Sequence, residues 1–203
     1  LSAERIKHKL GSKLNKEDTD ILDKAVSTIV NQVDAMKTMV NEFSEYARAP
    51  KLNLELTDIN ETIKEISHLF ENSGIKITTT LLKGLPKIKV DVNMMRQVLI
   101  NLIQNAQDAM INNTKKPSIK INTNKYKNYL ILSIEDNGPG FSADILKKAF
   151  EPYVTSKSHG TGLGLAIVKK IIEEHEGTIV VENIKNGGAN INIQLPISKS
   201  KEL

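Results

Sequence analysis

From Leu22 onward the apolar residues Leu22, Val26, Ile29, Val33, Met36, Val40, Phe43 and Ala47 recur at alternating spacings of four and three. That is a heptad seam, and it predicts one long helix carrying a single apolar stripe. Asp18 or Thr19 is expected to cap its start, and the helix is expected to stop before Pro50, because the residue preceding proline disfavours helical angles. Residues 1–14 read as a shorter helix weakened by Gly11, with a polar turn at Asn15, Lys16 and Glu17. So short a connection predicts two antiparallel helices. A lone hairpin cannot hide its own stripe. Pairing with a second copy into a dimeric four-helix bundle is the economical solution, and packing on its own chain is the alternative.

After a linker near residues 49–53 the periodicity changes. Residues 52–56 alternate like a strand, 59–70 are amphipathic and helical, and 75–82 form a β-rich run ending near Gly84 and Pro86. Asp91 is positioned to cap a long helix reaching about residue 112. Residues 118–123 and 129–135 alternate around a polar loop, which is a hairpin signal. A helix follows Gly164, then strands near 178–182 and 190–195. The expected architecture is α+β, a mixed sheet on one layer of helices, with a helical domain over 1–50 and a second domain over 51–203.

Composition narrows the function classes. Lysine and arginine number 28 against 24 acidic residues, but the basic residues are scattered, and only 4% of the chain is aromatic. A nucleic-acid surface wants a clustered basic stripe and stacking platforms, so direct nucleic-acid binding is not expected. With no cysteine there is no disulfide, thiolate metal site or thiol nucleophile, which fits a reducing, cytoplasmic setting. No apolar run approaches the roughly 18 residues that span a bilayer. The expectation is a soluble portion of something longer, joined to a membrane only through segments upstream of Leu1.

Four blocks carry candidate chemistry. On the Asp91 helix, Asn101, Asn105 and Asp108 fall on one narrow stripe beside the apolar face. Amide and carboxylate oxygens suit Mg²⁺, a hard ion that bridges a few protein oxygens to phosphates, and Asn105 is the candidate direct ligand. Asp136 ends a strand and is followed by Asn137-Gly138-Pro139-Gly140, so a carboxylate able to accept from an exocyclic amine stands beside glycines that admit a flat ring. Gly160-Thr161-Gly162-Leu163-Gly164 opens a helix whose exposed N–H groups make an anion site. Between them, residues 141–159 form a long connection with Phe150, Tyr153 and Lys157, which reads as a lid with a lysine able to reach a phosphate.

In this order and spacing the blocks resemble the N, G1, F and G2 boxes of sensor histidine kinases of two-component systems, with the Bergerat-type ATP-binding fold of the GHKL superfamily. The segment Leu1-Ser2-Ala3-Glu4-Arg5-Ile6 and the lid Phe150-Glu151-Pro152-Tyr153-Val154-Thr155-Ser156-Lys157 look most like kinases of the NtrY and NtrB kind. The resemblance implies ATP and Mg²⁺ as cofactors and Asn105 as the metal ligand. It implies Asn101 and Lys157 as catalytic residues. For nucleotide contacts it implies Asn105, Asp136, Gly138, Gly140, Thr155, Lys157, Gly160, Thr161, Gly162, Leu163 and Gly164. It further implies a homodimer through the hairpin and a response-regulator receiver domain as partner.

Two departures from the family pattern stand out. Many relatives carry lysine and then an aromatic residue where this chain has Asp108 and Ala109, so those contacts do not carry over. The family's phosphoacceptor block, His-Glu-x-x-Asn-Pro, is missing, and the segment at Leu1 is what normally follows it. The acceptor is therefore expected just upstream, leaving this chain able to bind ATP but not to phosphorylate itself. On that view His8, His68 and His175 are surface or packing residues, and His159 in the lid is a candidate phosphate contact. The competing classes are a clamp-type ATPase, a protein-serine kinase and an inactive scaffold. The first would need an acid at Asn101 to activate water, which asparagine cannot do.

Overall fold

Buried residues alternate with more exposed ones along residues 118–123, 129–134 and 189–195, which builds a sheet with one dry face. The computed structural model describes residues 2–10, 14–47, 52–111, 116–155, 157, 160–185 and 187–197. The chain divides into two compact units, Leu1–Arg48 and Ala49–Leu203.

In the first unit, α1 (Ser2–Leu10) and α2 (Lys16–Ala47) pack together, with Lys7 Nζ 3.2 Å from Asp23 Oδ2. The long helix starts earlier than the Asp18 or Thr19 cap expected from sequence. Asn15 takes that role: its Oδ1 accepts the N–H of Asp18 at 2.8 Å, and its Nδ2 donates to Asp18 Oδ2 at 2.7 Å. An asparagine three residues before an acid can satisfy both ends of this exchange, and Asp18 then sits inside the first turn. Gly11 and Pro50 lie outside the described residues.

The second unit holds β1 (Glu55–Thr57), α3 (Ile59–Leu69), β2 (Lys76–Thr80), β3 (Ile88–Val90), α4 (Val92–Met110), β4 (Ser118–Tyr126), β5 (Tyr129–Asp136), α5 (Ala143–Lys147), α6 (Gly164–Glu174), β6 (Thr178–Asn183) and β7 (Ala189–Pro196). The main sheet has the order β2-β4-β5-β7-β6, with β2 parallel to β4 and the other pairs antiparallel. A separate two-stranded ribbon pairs β1 with β3. The mixed sheet and its helices match the sequence expectation. The β3 strand, the short α5 helix within the lid region and the extension of β4 to Tyr126 were not in the pattern.

Register places Ile121, Ile134 and Ile191 in one row and Thr123, Leu132 and Ile193 in the next. These inward residues share the buried core with Ile59, Ile63 and Ile66 of α3, Leu99, Leu102 and Ile103 of α4, and Ile167, Val168 and Ile172 of α6. Each such side chain stabilises the fold by about 1.5–3 kcal/mol on burial. Thr123, the polar member of the row, is satisfied: its Oγ1 donates to Asn60 Oδ1 at 2.8 Å and accepts from the Leu82 N–H at 3.0 Å. The same parity puts Asp136, two residues beyond Ile134, on the helix-covered face.

Two contacts at opposite ends align α4 antiparallel to α6. Asp91 caps α4 through bonds from the N–H groups of Asn93 and Met94 to its Oδ1. Its own N–H donates to His175 Nε2 at 2.9 Å. The other ring nitrogen, Nδ1, lies 2.7 Å from the Ile171 carbonyl, so His175 is the neutral tautomer with its proton on Nδ1. At the far end, Gly164 of α6 lies against Asn105 of α4.

Candidate functional site

Asp136 is half-buried because strand parity aims it at the helices while the strand end leaves it near solvent. Its Oδ1 accepts the N–H of Gly138 at 2.8 Å and of Ala189 at 3.3 Å. Burial pushes its carboxyl above the usual carboxylate range, and the two backbone N–H groups oppose that shift only in part. With both donors on Oδ1, Oδ2 is left for a ligand donor.

The turn after Asp136 is held from three sides. Asn137 accepts the Ser118 N–H at 2.8 Å and donates to the Lys116 carbonyl at 2.9 Å. A side chain on Gly138 would press on Asp136 Oδ1 and on Met110 at the end of α4, so this glycine keeps the turn close to that helix. Gly140 has φ +73°, and Asn183 clasps the next residue, accepting the Phe141 N–H at 2.8 Å and donating to its carbonyl at 2.7 Å. Gly188, with φ +98°, passes so close to the Asp136 carbonyl that any Cβ would overlap it.

Asn183, Gly188 and Ala189 come from the β6–β7 turn, and sequence reasoning did not single them out. The glycine pair Gly187-Gly188 was the available signal, but it is indistinguishable in sequence from an ordinary hairpin turn.

On α4, Asn101 and Asn105 are half-buried and Asp108 is exposed, so the stripe runs from the interior to the rim. Lys157 reaches it from the lid: Nζ lies 3.1 Å from Asn105 Oδ1 and 2.8 Å from Asp108 Oδ2. Thr155 steadies that lysine, its Oγ1 accepting the Lys157 N–H at 3.0 Å. Gly160 lies so near Thr155 and Lys157 that a Cβ would meet Thr155 Oγ1 at 2.8 Å.

Gly162 has φ +70°, and a Cβ there would meet the backbone of Tyr153 and Val154 at 2.6–2.8 Å; the Tyr153 N–H donates to its carbonyl at 3.0 Å. The lid and the glycine block are thus one interlocked piece. Thr161 accepts the Leu163 N–H at 3.3 Å, Leu163 is buried, and α6 begins at Gly164 without a side-chain cap. An uncapped helix start leaves N–H donors and a positive dipole end for an anion.

Asn101, Asn105, Lys157 and the Gly160 to Gly164 block therefore lie along facing α4 and α6, while Asp136, Gly138 and Gly140 lie past the end of α4, where Met110 meets Gly138. Phe150 is half-buried with Lys169 Nζ 5.8 Å from its ring centroid, and Tyr153 is exposed at φ +66°. His159 lies outside the described residues. His8 is exposed, His68 pairs with Glu71 at 2.8 Å, and His175 is buried.

A carboxylate on a strand end, glycines shaped around it and an uncapped helix start in one α/β layer define a nucleotide-binding sandwich. Residues 90–199 match the family described as histidine kinase-, DNA gyrase B-, and HSP90-like ATPases, and the chain belongs to it. Nitrogen regulation protein NtrY of Azorhizobium caulinodans is 35% identical over 96% of this chain and 26% of its own length. The catalytic domain of histidine kinase ThkA superposes with a TM-score of 0.63 at 33% identity, covering 71% of this chain and 95% of that one. ThkA solved in complex with the response regulator protein TrrA gives a TM-score of 0.74 at 28% identity, over 98% of this chain and 57% of that one. The chain thus carries the ATP-binding catalytic core of the sensor histidine kinase kind, and spans about a quarter to a third of the length of the curated relatives it matches. No described helix is long and apolar enough to cross a membrane.

Proposed function

We propose that residues 51–203 bind Mg-ATP and pass its γ-phosphate to a histidine on a helical hairpin, from which it goes to an aspartate of a response-regulator receiver domain. The observation that carries this is the meeting of Asn105, Lys157 and the α6 start: Gly164 against the Asn105 amide and the Lys157 ammonium 3.1 Å from its oxygen. The Asn105 oxygen fits a hard divalent ion, whose charge would offset that of the phosphates. Asp136 accepts the adenine amine, and Gly138 and Gly140 admit the ring. The backbone of Gly160, Thr161, Gly162, Leu163 and Gly164 donates to phosphate oxygens, and Thr155 keeps Lys157 within reach of them. Asn101 orients the reacting end one turn away.

In the transfer, a neutral imidazole nitrogen attacks the γ-phosphorus in line, the bond to the β–γ bridging oxygen breaks, and ADP leaves; positioning and charge supply most of the catalysis. Of the described histidines, His175 is a poor acceptor, since both its ring nitrogens are engaged in the interior. The acceptor is proposed to belong to the hairpin of the longer parent, which operates at the cytoplasmic side of a membrane.

The expected result with radiolabelled ATP is no label on this chain alone, and, once it is mixed with a longer copy that keeps the acceptor histidine but has Asn105→Ala, label on that longer copy. Acid-labile label on the short chain, lost on His8→Ala, would overturn the assignment.

The first unit is proposed to be the dimerisation hairpin over residues 1–50. Ile29, Val33, Met36, Val40 and Phe43 are all exposed, 44–63% of their surface open, on one face of α2. Two copies would bury that stripe as a four-helix bundle. Val33→Glu with Val40→Glu puts unpaired carboxylates in the seam, and light scattering is expected to show a dimer for the parent chain and a monomer for the variant.

A further inference from the structure

Asn105 and Asp108 are three residues apart on α4, and their oxygens converge on one positive charge, the Lys157 ammonium, at 3.1 and 2.8 Å. Side chains three apart are neighbours on a helix, so the pair forms a small oxygen platform with a net charge of about −1. Among the described residues no three acidic or imidazole side chains gather to hold a metal ion by themselves. A divalent ion at this site therefore depends on few protein oxygens plus phosphate, which is how Mg²⁺ is usually held. The lysine is a compact, strongly hydrated cation standing at the point where such an ion would be attracted.

Its hold is weak. Asp108 and Lys157 keep 52% and 35% of their side-chain surface in contact with solvent, and pairs of that exposure contribute a factor of about five at most. A divalent ion arriving with a triphosphate carries twice the charge and displaces it readily.

We propose that Asp108 is a second oxygen partner of the Mg²⁺ ion, beside Asn105, and that Lys157 yields this position to the ion and turns to the phosphates. The inference rests on reading the site as an Mg-ATP pocket. It has a signature that a purely structural role for Asp108 lacks. Without the ion, the Asp108 carboxylate faces the phosphates once Lys157 has left it, and like charges repel. With the ion, the same carboxylate attracts. Asp108 therefore makes nucleotide affinity depend on the metal.

The test is calorimetry of ADP binding to the full chain in EDTA and in saturating Mg²⁺, for the parent, Asp108→Asn and Asp108→Glu. The ratio of the two dissociation constants is expected to fall about fivefold or more in Asp108→Asn, with EDTA affinity equal to or tighter than the parent's, and to be restored in Asp108→Glu. The exposed position of Asp108 makes the variants easy to fold, and unchanged thermal midpoints check that. An unchanged ratio in Asp108→Asn, or equal losses in EDTA and in Mg²⁺, overturns the role of Asp108 while leaving the ATP pocket intact. A parent chain that binds no ADP in either condition overturns both.

Discussion

Asp136→Asn is expected to weaken ADP binding about ten- to a hundredfold by calorimetry, since losing one charged hydrogen bond in a partly desolvated pocket costs about 1.5–3 kcal/mol. The substitution keeps size and shape. Its amide can still accept the Gly138 and Ala189 N–H groups through the oxygen that replaces Oδ1. The other position then carries an NH2 group, a donor facing the exocyclic amine, which is also a donor. Unchanged affinity would remove Asp136 from adenine recognition.

The same carboxylate sets a pH dependence. Burial raises its folded-state pKa, so the unliganded fold is relieved of that cost at low pH and gives up stability as pH rises through the raised value. In the role proposed for Asp136 the ionised form accepts the adenine amine, so binding is expected to run the other way, weakening as pH falls through that value. Asp136→Asn should flatten both responses, which parallel thermal melts and calorimetry from the ordinary carboxylate range upward in pH would record.

Gly188→Ala is expected to be nearly as damaging to nucleotide binding, at about tenfold or more, through its effect on Asp136. The φ of +98° is poorly tolerated by alanine, which costs about 1–3 kcal/mol in strain, and the new Cβ overlaps the Asp136 carbonyl. Either the β6–β7 turn or the end of β5 must move, and Ala189, the next residue, would carry its N–H away from Asp136 Oδ1. Loss of affinity with a modest drop in thermal midpoint is the expected pattern. Alanine at 188 with parent-like ADP affinity would show that this turn does not position Asp136. The clasp of Asn183 on Phe141 would shift with that turn, since Asn183 pairs in register with Ala189 and the Ile184 N–H donates to the Gly188 carbonyl.

Three of the four boxes were legible in sequence because each is a short local device: an Asn stripe needs only helical periodicity, an Asp-Asn-Gly-Pro-Gly turn only its own φ angles, and a glycine-rich helix start only its exposed N–H groups. The long helices α2, α4 and α6 were legible for a related reason, since their apolar periods extend over several turns. The three-residue strand β3 is too short to show a period, and α5 spans little more than one turn, so neither could be read.

By itself, then, the sequence determined the element types, the alternation that makes one sheet face dry, and the order of chemical groups along the chain, all of which depend on neighbours a few residues apart. Only the tertiary structure decided which distant groups meet. It paired Lys157 with Asp108 across 49 positions, and it brought Ala189 to Asp136 across 53. It turned His175, an unremarkable helix-end residue in sequence, into the acceptor of the Asp91 N–H, 84 positions away. The physical reason is register: strand pairing and helix packing fix which ends coincide, and that is a property of the assembled sheet and its helix layer, not of any local run of residues.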